Sequence, residues 1–111
     1  MKIINKSDYI LLTPAKAKTA AEFIQSVSDQ ITQSPEENYV IELLGLSNVS
    51  KDHIKDLANI KNSILADKHS FVVLIDQLKI DELPEEINTV PSIKEAEDVI
   101  QMEMIERDLG F

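Results

Sequence analysis

The stretch N-Y-V-I-E-L-L-G-L-S-N-V-S-K-D-H-I, residues 38–54, decides how this chain folds. Residues 38–44 form an apolar run with a single charge, Glu42, near its end. That composition predicts a buried strand. A short polar turn follows, and from Lys51 onward the apolar residues recur at helical spacing. A strand entering a helix across a short turn is the basic unit of α/β proteins, and such turns commonly carry their chemistry.

Working outward toward the C-terminus, residues 51–68 read as a helix. Ile54, Leu57, Ala58, Ile64 and Leu65 make its apolar stripe, interrupted by Lys61. F-V-V-L-I, residues 71–75, is an unbroken run of β-branched, aromatic and aliphatic residues. Such a run predicts a central strand covered on both faces. D-Q-L-K-I-D-E-L-P-E-E-I, residues 76–87, is acidic, carries Pro84, and reads as a loop or short helical turn. Residues 87–90 predict a last short strand. Ser92 and Glu95 have the spacing of a capping box, and Ile93, Ala96, Val99, Ile100 and Met104 line one face of the helix that follows. Gly110 suits its end.

Toward the N-terminus, residues 17–33 are helical by period, with Ala20, Phe23, Ile24, Val27 and Ile31 on one face. Residues 2–5 and 8–13 predict two strands, with Pro14 ending the second because proline donates no ladder hydrogen bond. The order is β-β-α-β-α-β-loop-β-α. Strands separated by helices pair in parallel, because a parallel crossover needs about a dozen residues. The expected fold is therefore α/β: one domain over residues 1–111, with a small mixed sheet of four to five strands and three to four helices mainly on one face.

Composition narrows the function. The 111 residues are 43% hydrophobic, and five aromatic side chains leave the core to Ile, Leu and Val. No cysteine is present, so disulfides and thiolate metal sites are excluded. No apolar run approaches the roughly 20 residues of a membrane span. The opening M-K-I-I-N-K-S-D-Y-I-L-L is too broken by charge to resemble a signal peptide. The expectation is a cytoplasmic protein that needs no cofactor. The net charge of −9 is concentrated after residue 75, where eleven acids face three bases. Such a surface repels phosphate backbones and argues against nucleic-acid binding. It reads either as a solubilising face or as a patch that steers a basic partner.

Catalytic motifs are missing. His53 and His69 stand sixteen residues apart, without HxH or HExxH spacing, and read as surface or helix-end residues. Ser50, Lys51, Asp52 and His53 supply the residue types of a serine site, but consecutive helical residues point apart, and capping explains Ser50 better. Gly45 and Gly110 are the only glycines, so no phosphate-binding glycine loop exists. Glu36-Glu37 and Glu85-Glu86 sit beside prolines and read as solvated loop charge. Met102 and Met104 offer either a soft contact surface or ordinary core filler. The ending Asp108-Leu109-Gly110-Phe111 is either a docking peptide or, as terminal helices commonly behave, a segment folded back over the core. The second is the expectation.

The layout and the stretch I-E-L-L-G-L-S-N-V-S-K-D-H-I resemble the STAS domain of sulfate transporters and anti-sigma factor antagonists. In that family a hydrophobic strand leads through D-L-S-G-V into D-S-S-G-L, and the phosphorylatable serine opens a helix. Glu42 stands near the strand aspartate, Gly45 matches the turn glycine, and Val49 and Ile54 match the apolar residues around the acceptor run. Ser50 falls on the aspartate, Lys51 and Asp52 on the two serines, and His53 on the second glycine. The resemblance thus implies that the phosphoacceptor serine is replaced and that Asp52 places a fixed negative charge there. A one-residue shift makes Ser50 the candidate phosphosite. The tail V-P-S-I-K-E-A-E also resembles the closing strand and helix of STAS domains.

The resemblance implies a non-enzymatic regulatory module of bacterial type. Its contact surface would comprise Leu46, Ser47, Asn48, Val49, Ser50, Lys51, Asp52 and His53. Its partner would be a kinase-like anti-sigma factor or another regulator, and a homodimer is compatible. The ending I-E-R-D-L-G-F further resembles small bacterial proteins labelled ribonuclease Z, a zinc-dependent tRNA-processing nuclease. The chain lacks the HxHxDH ligands and the length of that enzyme. On this second resemblance it would be an accessory subunit or partner of such a nuclease.

Overall fold

The structure, a computed structural model, describes residues 1–15, 19–65, 68–76 and 87–110. In chain order the elements are β1 (Lys2–Asn5), β2 (Ile10–Thr13), α1 (Ala20–Gln33), β3 (Tyr39–Glu42), α2 (Lys51–Ser63), β4 (Phe71–Leu74), β5 (Asn88–Val90) and α3 (Ile93–Asp108). The strands form one sheet in the order β1-β2-β3-β4-β5. β1 pairs antiparallel with β2, and every later pairing is parallel. This is the order and the mixture that the sequence predicts. The acidic segment that it reads as a loop or helical turn lies, from residue 77 to residue 86, outside the described residues.

Side chains of successive strand residues point to opposite faces, and the two faces collect different helices. Ile10, Leu12, Tyr39, Ile41, Phe71 and Val73 point to one side and pack with Phe23, Ile24, Val27 and Ile31 of α1 and with Ile54, Leu57, Ala58 and Ile60 of α2. Tyr9, Leu11, Val40, Val72 and Leu74 point to the other and pack with Ala96 and Ile100 of α3. Among the described residues α1 and α2 therefore share one face, and α3 covers the opposite one. The continuous run at Phe71–Ile75 is buried throughout for this reason.

Helix starts follow the sequence signals. Thr19 caps α1 reciprocally: Glu22 N–H donates to Thr19 Oγ1, and Thr19 N–H donates to Glu22 Oε1, both at 3.2 Å. Glu95 N–H donates to Ser92 Oγ at 3.2 Å at the start of α3. Gly110, at φ +83°, follows its end.

Polar contacts fasten the ends of the sheet. Asn38, at the entrance of β3, reaches both neighbouring strands. Its Nδ2 donates to the Asp8 carbonyl at 2.9 Å, and its Oδ1 accepts from Ser70 N–H at 2.7 Å. Four contacts hold α3 down. Tyr9 Oη donates to Glu97 at 2.8 Å, Gln101 Nε2 to Asp8 at 2.7 Å, Asn88 Nδ2 to Glu103 at 3.1 Å, and an Arg107 guanidinium nitrogen to Ser70 Oγ at 3.2 Å. Ser70 is itself buried.

Two expectations are corrected here. Leu109 does not fold back over the core; it is 65% exposed, while Phe111 lies outside the described residues. Ile60, which the sequence stripe of α2 omits, is buried: it turns toward Ile24 of α1.

Two measurements test this account. Asn38→Ala leaves a strand-entrance carbonyl and N–H without their partner and costs about 2–4 kcal/mol in urea denaturation. Burial, then the hydrogen bond and negative charge of Glu97, push the Tyr9 hydroxyl up to about 12 from 10.0. The unfolded chain therefore ionises first. This contribution to stability is complete below pH 10 and is lost as pH rises through about 12. Tyr9→Phe removes that part of the alkaline loss, read from denaturation midpoints against pH; Tyr39, also raised by burial, supplies a further part.

Candidate functional site

The site begins where β3 leaves the sheet. Leu43 extends the ladder by one residue, its N–H donating to the Leu74 carbonyl at 3.0 Å, and its side chain stays in the core. The chain then reverses. Leu46 N–H donates to the Leu43 carbonyl at 3.0 Å, and Glu42 Oε1 accepts from Gly45 N–H at 2.9 Å. The one charge of the strand thus fastens the turn that follows it. Asn48 sits in the left-handed region at φ 61°, which a short polar side chain tolerates better than most.

Ser50 is the N-cap of α2, with extended backbone at φ −117° and ψ 170°. Its N–H donates to His53 Nδ1 at 3.1 Å, so the imidazole takes the place that glutamate or glutamine usually fills in a capping box. Asp52 lies in the first turn, where negative charge complements the helix dipole.

All eight residues expected at the contact surface lie on this turn or on the first turn of α2, but not all face outward. Ser47, Asn48, Ser50, Lys51 and Asp52 are exposed, whereas Leu46, Val49 and His53 are half-buried. Leu46 and Val49 pack against the core beneath α1 and α2 and hold the turn to the body of the protein. The exposed apolar group is instead Leu44, at 48%. Leu44 borders a hollow of about 190 Å³ lined by Leu43, Leu46, Ser47, Asn48, Val49, Ile75 and Asp76. Sequence reasoning misses Leu44, Ile75 and Asp76. The last two arrive through the parallel register that sets Glu42 beside Leu74, and no local pattern signals that register.

The Ser50 hydroxyl lies 3.3 Å from His53 Nδ1, so the two side chains do meet, at i and i+3. Adjacency in sequence suggests that they point apart; capping geometry brings them together. The same ring nitrogen already accepts the Ser50 N–H. Among the described residues no carboxylate holds the ring from its other side, as a serine triad requires. His69 precedes β4 and His53 follows β3, so parallel pairing sets them at opposite ends of the sheet. Among the described residues no group of three His, Asp or Glu side chains is placed to hold a metal. No described helix is long and apolar enough to cross a membrane.

The chain matches no protein-family model and no curated protein sequence. Fold and site define its class: a mixed α/β sheet protein with an exposed turn, rigidly capped, at the carboxyl edge of its central strands.

The left-handed turn residue provides a check on this geometry. Asn48→Gly leaves stability nearly unchanged, whereas Asn48→Val, which places a branched Cβ at positive φ, costs about 1–2 kcal/mol in urea denaturation.

Proposed function

We propose that this chain is a non-enzymatic interaction module. Its contact surface is the turn from Leu44 to Asp52, and it resembles an anti-sigma factor antagonist in layout. One observation carries this reading. Ser47, Asn48, Ser50, Lys51 and Asp52 stand exposed around a partly exposed leucine and a small hollow, on a turn that its own hydrogen bonds hold in place. A preorganised turn loses little conformational freedom on binding, which favours its use as a recognition element.

In this reading Leu44 and the hollow supply the apolar contact. Lys51 and Asp52 supply polar specificity, and Asp52 provides a permanent charge at the helix start. A carboxylate carries one negative charge where a phosphate carries about 1.5 to 2, so the charged state is fixed instead of switched. Under the one-residue shift of the resemblance, Ser50 is instead the candidate phosphosite: its hydroxyl is exposed at a helix N-terminus, which stabilises a phosphate. The partner is a regulatory protein, of the kind that a kinase-like anti-sigma factor represents. The acidic surface disfavours nucleic acid as a direct ligand.

Affinity capture from the native cell, read by mass spectrometry of partners and of Ser50, tests this. Leu44→Asp and Asp52→Lys each reduce capture of the partner by about tenfold or more, the effect of losing a central contact. Glu36→Lys, on the loop at the opposite end of β3, leaves it intact. Full retention by both turn variants overturns the assignment. Recovery of a ribonuclease Z-type nuclease as the turn-dependent partner would support the accessory-subunit reading in place of the regulatory one.

A further inference from the structure

α3 is apolar on two sides. Its inner side is the expected stripe: Ala96 and Ile100 are buried, and Ile93, Val99 and Met104 pack beside them on the sheet. On its outer side stand Met102 at 59% exposure, Ile105 at 54% and Leu109 at 65%. Spacings of three and four place these three on one face. The five large exposed apolar side chains of the described residues are these three, Ile3 and Leu44, so most of that surface is gathered on one helix. The outer stripe also decides between the two readings of the methionines: Met104 is filler, and Met102 is surface.

Most of the charges around the stripe are acidic. Asp98 continues it one turn toward the N-terminus. At about 100° per residue, Glu95 and Glu106 flank it on one side and Asp108 on the other. All four carboxylates are exposed. Against them stand Lys94, paired with Asp98 at 3.0 Å, and, on the side of Glu106, a hollow that this glutamate shares with Lys61, Lys68 and His69. The other cation of this helix, Arg107, is turned inward to Ser70 and does not neutralise the outer face. Glu106 and Asp108 also lie in the last turn, where negative charge opposes the helix dipole and Arg107 offsets it only in part. A further cation beside Asp108 would complete that compensation.

We propose that the outer face of α3 docks a basic amphipathic helix of a partner protein. The apolar stripe of that helix would lie on Met102, Ile105 and Leu109, with its lysines or arginines beside Glu95, Asp98, Glu106 and Asp108. Charge selects this occupant. A second copy of the chain, crossing at the same stripe, would bring carboxylates against carboxylates. An anionic membrane surface would be repelled in the same way. The face lies on the side of the sheet opposite α1 and α2, so it is separate from the turn that opens α2, and the proposal stands without the function assigned to that turn.

The probe is a synthetic helical peptide with leucines at i, i+3 and i+7 flanked by lysines, titrated into the full-length protein and followed by NMR. Saturable binding is expected, with the largest shifts at Met102, Ile105 and Leu109. Ile105→Glu and Glu106→Lys should each weaken it by about tenfold or more. Salt at about 1 M, which shortens the screening length to about 3 Å, should weaken it further. These are surface changes, and circular dichroism checks that each variant is folded. Met102→Ser and Leu109→Ser give the same readout should Ile105→Glu disturb the helix. The proposal fails if the peptide does not bind, if a version with glutamates in place of the lysines binds equally well, or if the shifts fall on Ser47 to Asp52 instead. It also fails if sedimentation shows self-association that Ile105→Glu abolishes, because the occupant is then a second copy.

Discussion

Everything in this protein depends on burying the two central strands, β3 and β4, on both faces at once. Tyr39, Ile41, Phe71 and Val73 need one cover, and Val40, Val72 and Leu74 need another. A single helical layer would leave one set in water. The connection from β2 to β3 and that from β3 to β4 each carry a helix, and both helices lie on the same side of the sheet. The last helix therefore has to cross to the other side, and among the described residues it is the helix that covers that face. Its fastening is correspondingly polar as well as apolar, through Tyr9, Asp8, Asn88 and Ser70.

The same constraint positions the candidate site. Parallel strands align their carboxyl ends, so the turn after β3 comes to lie beside the end of β4. Glu42 and Leu43 belong to the ladder, and the chain is still held by the sheet when it reverses at Gly45. Leu46 and Val49 then anchor the turn from below, and the cap at Ser50 and His53 fixes the first turn of α2. The exposed polar residues Ser47 and Asn48 lie between these anchors.

Much of this was legible in the sequence, and the misses have a common cause. The α1 stripe of Ala20, Phe23, Ile24, Val27 and Ile31 is buried as its period requires. The short strands, the cap at Ser92 and the stop at Gly110 are local features with local causes, whereas the cap at Thr19, which starts α1 three residues later than the period suggests, was not read. Ile60 was missed because it stands at the side of the α2 stripe, where it borders a hollow with Ile24 of α1. Asn38 was missed because its amide is satisfied by Asp8 and Ser70, roughly thirty residues away on either side. The outward direction of Met102 and Leu109 was one of two readings, and the sequence could not select it, because α3 carries apolar residues around much of its circumference and periodicity alone cannot say which side meets the sheet.

The sequence by itself determined the elements, their order and the parallel pairing, because hydrophobic period, capping and crossover length are properties of contiguous residues. It also determined that the acidic excess gathers late in the chain. Only the tertiary structure decided which face each helix covers, that Ile75 and Asp76 border the turn, that Leu46 and Val49 point inward while Leu44 points out, and that α3 turns its acidic apolar side to solvent. Those outcomes depend on where the sheet sets residues far apart in sequence, and no periodicity within a single segment encodes that distance.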